Sequence, residues 1–171
     1  MKRIKSQKYS LILFFIIGIL IGLTILIFTP KEEEAFTAFD VPSDAQFVSF
    51  NEGKVVPLSF VKDEIYVLNM FATWCESCVK EYPEIGELSK YVPVYGVSIN
   101  DSMDDMKEFL AKKGNHYQDV LLDGNGDAMR FFGTDWIPEL FLVKNGRVIY
   151  RVTGKLTKEI LHQKLLPKVS R

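Results

Sequence analysis

The chain has 171 residues, a formal net charge of −1 and two cysteines. This length accommodates one domain with an extension, and the near-neutral charge gives no reason to expect a nucleic-acid partner. With two cysteines the chain cannot have a framework of several structural disulfides.

The first 30 residues predict a membrane anchor. Residues 1–10 carry four basic side chains and no acidic one, and residues 11–28 are uncharged. About twenty such residues cross a bilayer, and the basic end is expected to stay in the cytoplasm. We therefore predict a cytoplasmic tip and transmembrane helix over residues 1–30. A cleaved secretory signal is the alternative, although its apolar region is usually shorter, about 7–15 residues.

Residues 31–45 are predicted to form a linker on the far, extracytoplasmic side of the membrane. Three consecutive glutamates occupy positions 32–34, and prolines flank the stretch at positions 30 and 42. This composition is typical of a solvated tether. We therefore place the folded domain at residues 46–171.

The domain alternates apolar runs with segments of helical spacing. Asn145-Gly146 is a strong β-hairpin signal. Strands are predicted at residues 46–50, 54–60, 64–71, 92–99, 119–122, 139–144 and 147–152, and helices at residues 75–91, 103–113, 127–132 and 157–166. Helices between the early strands imply parallel pairing and the hairpin adds antiparallel strands. The predicted fold class is therefore α/β, a three-layer sandwich around a mixed central sheet.

Cys75 and Cys78 lie where the strand at residues 64–71 turns into a helix. A C-x-x-C near a βαβ pattern is typical of a redox dithiol. Two other interpretations stay open. Half of a zinc site would need two more ligands, with only His116 and His162 available, and a structural disulfide would stabilise little across so short a loop.

Position assigns the roles of the two sulfurs. Cys75 would begin the helix, where the dipole favours a thiolate, so it is the predicted attacking sulfur, and Cys78 is the resolving one. Glu76 disfavours the thiolate, which predicts a pair that leans toward reducing its partners. The turn is expected at the carboxyl edge of the sheet with the dithiol exposed. Trp74 either caps the core there or contacts a bound peptide.

Ile137, Pro138 and Glu139 directly precede a predicted strand. A cis bond at Pro138 would let this loop face the thiols, and the backbone of Ile137 could pair with an extended substrate. Glu139 could accept a proton from Cys78 through a water molecule. Glu81, in contrast, is interpreted as a solvated helix residue.

Several motifs taken together resemble a known family. They are Phe71-Ala72-Thr73-Trp74-Cys75-x-x-Cys78, Glu81, Pro83, Gly114-Asn115-x-Tyr117, Asp123-Gly124-x-Gly126 and Pro138-Glu139-x-Phe141-Leu142. As a set they resemble the thioredoxin superfamily, and more narrowly the membrane-anchored DsbE/CcmG-type thiol:disulfide interchange proteins of its TlpA/ResA/CcmG group. The resemblance implies a thioredoxin-like fold.

The resemblance also implies site residues. It makes Cys75 the nucleophile and Cys78 the resolving thiol, gives Pro138 a cis bond, and marks Glu81 and Glu139 as functional acids. A further position, Asn69, stands where cytosolic thioredoxins have a buried aspartate.

The implied function is reduction of disulfides in cytochrome c biogenesis. The substrate would be the C-x-x-C-H segment of apocytochrome c or a partner that carries it. A membrane thiol transporter of the DsbD/CcdA type would supply electrons, and no metal or cofactor is needed. The protein would be a single-pass inner-membrane protein of a bacterium with a periplasmic catalytic domain.

Two departures from the subfamily pattern leave alternatives open. Glu76-Ser77 replaces the usual proline-containing pair, and Glu76 is familiar from ResA-type reductases. Trp136 and Ile137 are bulkier than the small residues usual before the cis proline. The alternatives are a ResA/TlpA-like reductase for another extracytoplasmic target, an oxidase, and a non-catalytic module that binds apocytochrome.

Overall fold

A computed structural model describes residues 14–22, 36–124 and 126–170. Residues 14–22 form a helix with exposed apolar side chains. In these described ranges, no helix combines the length and the apolar character needed to cross a membrane. The predicted span at residues 11–28 lies partly outside the described residues, so the anchor stays a prediction.

The unit that begins at Phe36 is built on one eight-stranded mixed sheet with helices on both faces. The strands are β1 (Phe39–Asp40), β2 (Gln46–Ser49), β3 (Val55–Pro57), β4 (Ile65–Phe71), β5 (Val94–Ile99), β6 (Val120–Asp123), β7 (Glu139–Lys144) and β8 (Arg147–Thr153). The helices are α1 (Glu76–Leu88), α2 (Met103–Lys113), α3 (Asp127–Phe132), a π-helical segment Ile160–Leu165 and α4 (Leu166–Val169).

The sheet has the order β1-β8-β7-β4-β5-β6-β2-β3. β5 pairs in parallel with β4 and β6, and the other neighbours are antiparallel. The predicted mixed α/β sandwich is therefore confirmed. The predicted hairpins β2–β3 and β7–β8 are both formed.

The predicted final helix differs most from the structure. Thr157 caps it as expected, since its hydroxyl accepts a hydrogen bond of 3.2 Å from the Ile160 N–H. The segment that follows is π-helical rather than α-helical. It ends just before Pro167, which has no N–H to give to the preceding turn, so a regular α-helical ladder cannot run through this point.

Part of the predicted linker belongs to the sheet. β1 pairs antiparallel with β8, with Phe39 opposite Val148, and the Phe39 ring lies edge-on to Phe132 and Phe141. Ala45 is also buried. The domain therefore begins ten residues earlier than the predicted boundary at Gln46, because aromatic residues within the presumed tether pack against the core.

The two faces of the sheet carry separate apolar layers. Along β4, Val67 and Phe71 belong to the layer that contains α1, α2 and the C-terminal helix, whereas Leu68 and Met70 belong to the layer that contains α3. We call these the α1 face and the α3 face. Both crossovers, β4–α1–β5 and β5–α2–β6, step in the same direction along the sheet, and their right-handedness puts α1 and α2 on one side.

Candidate active site

The dithiol lies where β4 passes into α1. Cys75 and Cys78 are joined by a disulfide. Cys75 is the N-cap of α1, and its Sγ accepts a hydrogen bond of 3.2 Å from the Cys78 N–H. Free N–H groups at a helix start stabilise a negative charge. The structure therefore places the sulfur of Cys75 where the sequence predicted a stabilised thiolate.

The sulfurs are more enclosed than predicted. Cys75 is 9% exposed and Cys78 is 3% exposed, and both belong to the apolar layer of the α1 face. The exposed positions are those around them, Trp74, Glu76 and Ser77. A partner can therefore reach the edge of Cys75 more readily than Cys78, which fits the predicted order of attack and resolution.

Asp101 holds the turn that carries Cys75, a role that the sequence did not reveal. Its carboxylate accepts a hydrogen bond of 2.9 Å from the Thr73 N–H and one of 2.6 Å from the Thr73 hydroxyl. The Ser98 hydroxyl donates to the same carboxylate. These bonds tie the ends of two neighbouring parallel strands together. The next residue, Ser102, caps α2.

Exposed side chains surround the dithiol. Trp74 is 63% exposed, so the interpretation that it caps the core is wrong. Glu76 forms an ion pair of 2.6 Å with Lys80, and the hydrogen bond and charge of Lys80 lower the pKa of Glu76. Because Lys80 balances its charge, Glu76 opposes the Cys75 thiolate less than its position in the sequence suggested.

The loop before β7 has the predicted cis proline. The Ile137–Pro138 peptide bond is cis, and the Pro138 carbonyl accepts a hydrogen bond of 3.0 Å from the Gly154 N–H. Ile137 is half-buried and contacts both apolar layers. Trp136 is 72% exposed, so this loop presents an aromatic ring to solvent, as Trp74 does.

Glu139 does not lie where its predicted role requires. It pairs with Met70 across β4 and β7, and directly opposed residues point to the same side of a sheet. Its side chain is therefore on the α3 face, opposite α1. There the buried carboxylate accepts hydrogen bonds from Arg151 and, at 2.8 Å, from the Thr153 hydroxyl. This geometry does not support Glu139 as the proton acceptor for Cys78.

Glu81 is buried, so its interpretation as a solvated residue is wrong. It is 1% exposed. Its carboxylate accepts hydrogen bonds from the Leu156 N–H, at 2.6 Å, and from the Asn69 amide, at 3.2 Å. Burial raises the pKa of Glu81 from 4.5 to about 7, although both hydrogen bonds act in the opposite direction.

The placement of Glu81 is suited to proton transfer. It lies three residues after Cys78 on the buried side of α1, and residues at this spacing are neighbours on a helix surface. A carboxyl group that titrates near neutral pH can both accept and return a proton under physiological conditions. The α1 face thus combines the two sulfurs that are predicted to attack and to resolve with a buried acid that has a raised pKa.

Comparison with known proteins agrees with this chemistry. The Redoxin family model matches residues 33–165. The DsbE-2 thiol:disulfide interchange protein of Pasteurella multocida is 27% identical over 96% of this chain and 91% of its own length. The thiol-disulfide oxidoreductase ResA of Bacillus cereus is 29% identical over 92% of this chain and 93% of its own length.

Two further likenesses are informative. DsbE of Vibrio cholerae is 35% identical over 67% of this chain, and the match spans 64% of that protein. A crystal structure of a DsbE from Chlorobium tepidum superposes with a TM-score of 0.66 at 26% identity, covering 79% of this chain and 99% of that one. Since the family model spans most of the chain and the cysteine pair occupies the start of α1, the chain belongs to the Redoxin family and is a thiol:disulfide oxidoreductase of the thioredoxin fold, related to the DsbE and ResA proteins.

Proposed function

We propose that this protein is a membrane-anchored extracytoplasmic reductase that acts on the C-x-x-C-H disulfide of apocytochrome c or on a partner that carries it. The observation on which the proposal depends is the placement of Cys75 at the start of α1 with Cys78 and Glu81 behind it on the buried side. The resemblance to DsbE/CcmG-type proteins supports the substrate class. The uncharged residues 11–28 support the anchor.

The reaction transfers two electrons from the dithiol to the partner disulfide. The Cys75 thiolate attacks one partner sulfur, the partner S–S bond breaks, and the second partner sulfur leaves as a thiolate that takes up a proton. Cys78 then loses its proton and attacks the Cys75 sulfur. The mixed disulfide breaks, the first partner sulfur leaves as the second thiolate, and the Cys75–Cys78 disulfide forms.

Glu81 is proposed as the group that takes the proton of Cys78 in the second step. Its carboxylate is buried on the same side of α1 as Cys78, and among the described residues its hydrogen-bond donors are neutral. A raised proton affinity suits this transfer better than that of an ordinary, solvated glutamate. Returning the enzyme to its dithiol form requires a second dithiol protein, for which a membrane thiol transporter of the DsbD/CcdA type is the proposed donor.

The loop around Pro138 is proposed to hold the substrate peptide. With a cis bond before Pro138, the backbone of Ile137 would pair with an extended segment in the manner of an added strand. Trp74 and Trp136 are exposed and would cover the apolar flanks of such a peptide. This surface is suited to a polypeptide substrate rather than a small disulfide.

The test uses two matched cysteine variants and an oxidised C-x-x-C-H peptide. Cys75→Ser should abolish reduction of the peptide, and Cys78→Ser should accumulate a mixed disulfide through Cys75, detectable by mass spectrometry. Insulin serves as the general substrate for comparison. Peptide reduction by Cys75→Ser at the rate of the unmodified protein would refute the mechanism.

The alternatives give different results in the same assays. An oxidase would have a reduction potential close to that of a strong oxidant. A ResA/TlpA-like reductase for another target would reduce insulin and the haem-attachment peptide equally well. A binding module would hold the peptide without turnover, and added small thiols would then fail to restore cytochrome c in a deletion strain.

A further inference from the structure

A chain of hydrogen bonds runs through the core of the α1 face and includes Glu81, which lies three residues after Cys78 on α1. The Tyr117 hydroxyl donates to Asn69 Oδ1 over 2.7 Å, and Asn69 Nδ2 donates to Glu81 Oε1 over 3.2 Å. The second oxygen of Glu81 accepts from the Leu156 N–H. Three separate elements, β4, the segment before β6 and the segment after β8, thus converge on one carboxylate of α1.

Tyr117 needs an acceptor for its hydroxyl proton. Its ring packs against those of Phe71 and Tyr82, and burial raises the pKa of Tyr117 well above its ordinary value, so the hydroxyl stays protonated. Among the residues that the structure describes, Asn69 Oδ1 is the acceptor recorded for this hydroxyl. A buried donor left without an acceptor is destabilising.

This requirement fixes the orientation of the Asn69 amide. With its oxygen bound to the Tyr117 hydroxyl, Asn69 can present only its NH₂ group to Glu81. Protonated Glu81 would bond better to an amide oxygen. Turning the amide to provide one would set the NH₂ group against the Tyr117 hydroxyl and leave that hydroxyl without its acceptor.

We propose that Tyr117 is a positioning residue that locks the Asn69 amide with its NH₂ group toward Glu81, and so keeps Glu81 in the form that accepts a proton. This fixed orientation of the Asn69 amide, which we call the lock, acts against burial, because burial favours the protonated form of Glu81. Its consequence for catalysis rests on the proposed function of Glu81 in the resolving step. Other titratable groups near Glu81 are Glu84 on the same helix, which disfavours the carboxylate, and Lys155, which favours it; Cys78 lies one turn earlier.

The deciding experiment compares two tyrosine-to-phenylalanine variants of the full chain in its disulfide form. Tyr117→Phe removes the hydroxyl that holds Asn69. Tyr82→Phe is the matched control, because the Tyr82 hydroxyl donates to the Gly114 carbonyl, outside the chain of bonds. The Glu81 carboxyl is titrated by carbon-13 NMR after assignment with Glu81→Gln.

The lock predicts a tenfold change in proton affinity. Tyr117→Phe should raise the pKa of Glu81 by about one unit, and Tyr82→Phe should leave it within about a third of a unit. An unchanged value in Tyr117→Phe, or equal shifts in both variants, would overturn the proposal. Asn69→Val offers an independent check, since it removes the NH₂ donor itself and should raise the pKa at least as far; a lower value would also overturn the lock.

The rate of the resolving step separates this inference from the proposed function. The pH profile for release of a peptide from the Cys75 mixed disulfide should move upward with the pKa of Glu81 in Tyr117→Phe. If the pKa of Glu81 changes and the pH profile of peptide release does not, the positioning role of Tyr117 is supported, and Glu81 does not take part in the resolving step. If neither moves while the Cys75→Ser and Cys78→Ser results hold, the lock is refuted and the dithiol mechanism stands.

Discussion

Two glutamates are buried in the same sheet-centred domain, on opposite faces, with different neighbours. Glu81 on the α1 face is held by a backbone N–H and an amide, both neutral. Glu139 on the α3 face is held by the Arg151 guanidinium and the Thr153 hydroxyl. Both side chains are almost fully enclosed, so burial by itself does not distinguish them.

The difference shows how neighbours decide what a buried carboxyl group can do. A charged partner compensates for the lost hydration of Glu139 and makes it a structural link between β7 and β8. In the part of the chain that the structure describes, the hydrogen-bond donors to Glu81 are neutral, and burial raises its pKa to about 7. The buried carboxyl group that forms no ion pair among the described residues is therefore suited to proton transfer at neutral pH.

The largest expected effect comes from removing Arg151, the cation that pairs with Glu139 on the α3 face. Arg151→Met leaves the Glu139 carboxylate buried without its partner, so the free energy of unfolding should fall by about 4 kcal/mol. Urea unfolding of the oxidised protein at neutral pH measures this. Arg130→Met is the control, because Arg130 and Asp127 form an ion pair at the surface. Equal losses in both variants would show that Glu139 does not depend on Arg151.

Glu81 should make the stability of the folded protein depend on pH. Its pKa is raised on folding from 4.5 to about 7, so between these values the folded protein binds more proton than the unfolded chain. The free energy of unfolding should therefore fall as pH rises through this window, by up to about 3 kcal/mol. Glu81→Gln should remove that fall. Parallel pH curves for the two proteins would contradict the assignment.

A smaller effect is expected at the second partner of Glu139. Thr153→Val removes the 2.8 Å hydrogen bond to the carboxylate and should lower the free energy of unfolding by about 1 kcal/mol, because the Arg151 contact remains. Thr153→Ser keeps the hydroxyl and should restore most of the loss. Failure of the serine variant to recover stability would assign the effect to packing.

The smallest effect concerns Glu76, an exposed carboxylate that contrasts with both buried ones. Lys80→Ala removes its ion-pair partner, which should let Glu76 oppose the Cys75 thiolate and slow alkylation of reduced Cys75 by about twofold. Glu76→Gln combined with Lys80→Ala should abolish the difference. A tenfold slowing of alkylation would mean that the Glu76–Lys80 ion pair controls the reactivity of Cys75. Such an effect would contradict the screening that is expected at an exposed site.

Local sequence patterns predicted the features that depend on chain neighbours. Asn145-Gly146 predicted the hairpin because its backbone conformation suits a tight turn. The spacing of Cys75 and Cys78 predicted a redox pair at the start of a helix, and in the structure the two sulfurs form a disulfide at the start of α1. The cis bond before Pro138 followed from the family resemblance and is confirmed.

Features that depend on distant contacts were not predicted. Glu81 was interpreted as solvated because its helix neighbours do not show that Asn69 and Leu156 close over it. Glu139 was given a catalytic role from its position beside Pro138, but the strand register turns its side chain to the other face. Phe39 was placed in a linker because its packing partners, Phe132 and Phe141, lie about a hundred residues further along the chain.

By itself, the sequence determined most of the strands and helices, though not β1 or the π-helical segment, and it determined which two sulfurs carry the redox chemistry. Both depend on side-chain periodicity and short spacings. The tertiary structure decided which acid lies beside those sulfurs, which loop Asp101 holds, and how far solvent reaches Cys75. These properties arise from elements brought together across the sheet, where burial and hydrogen-bond partners give two residues of the same type different chemistry.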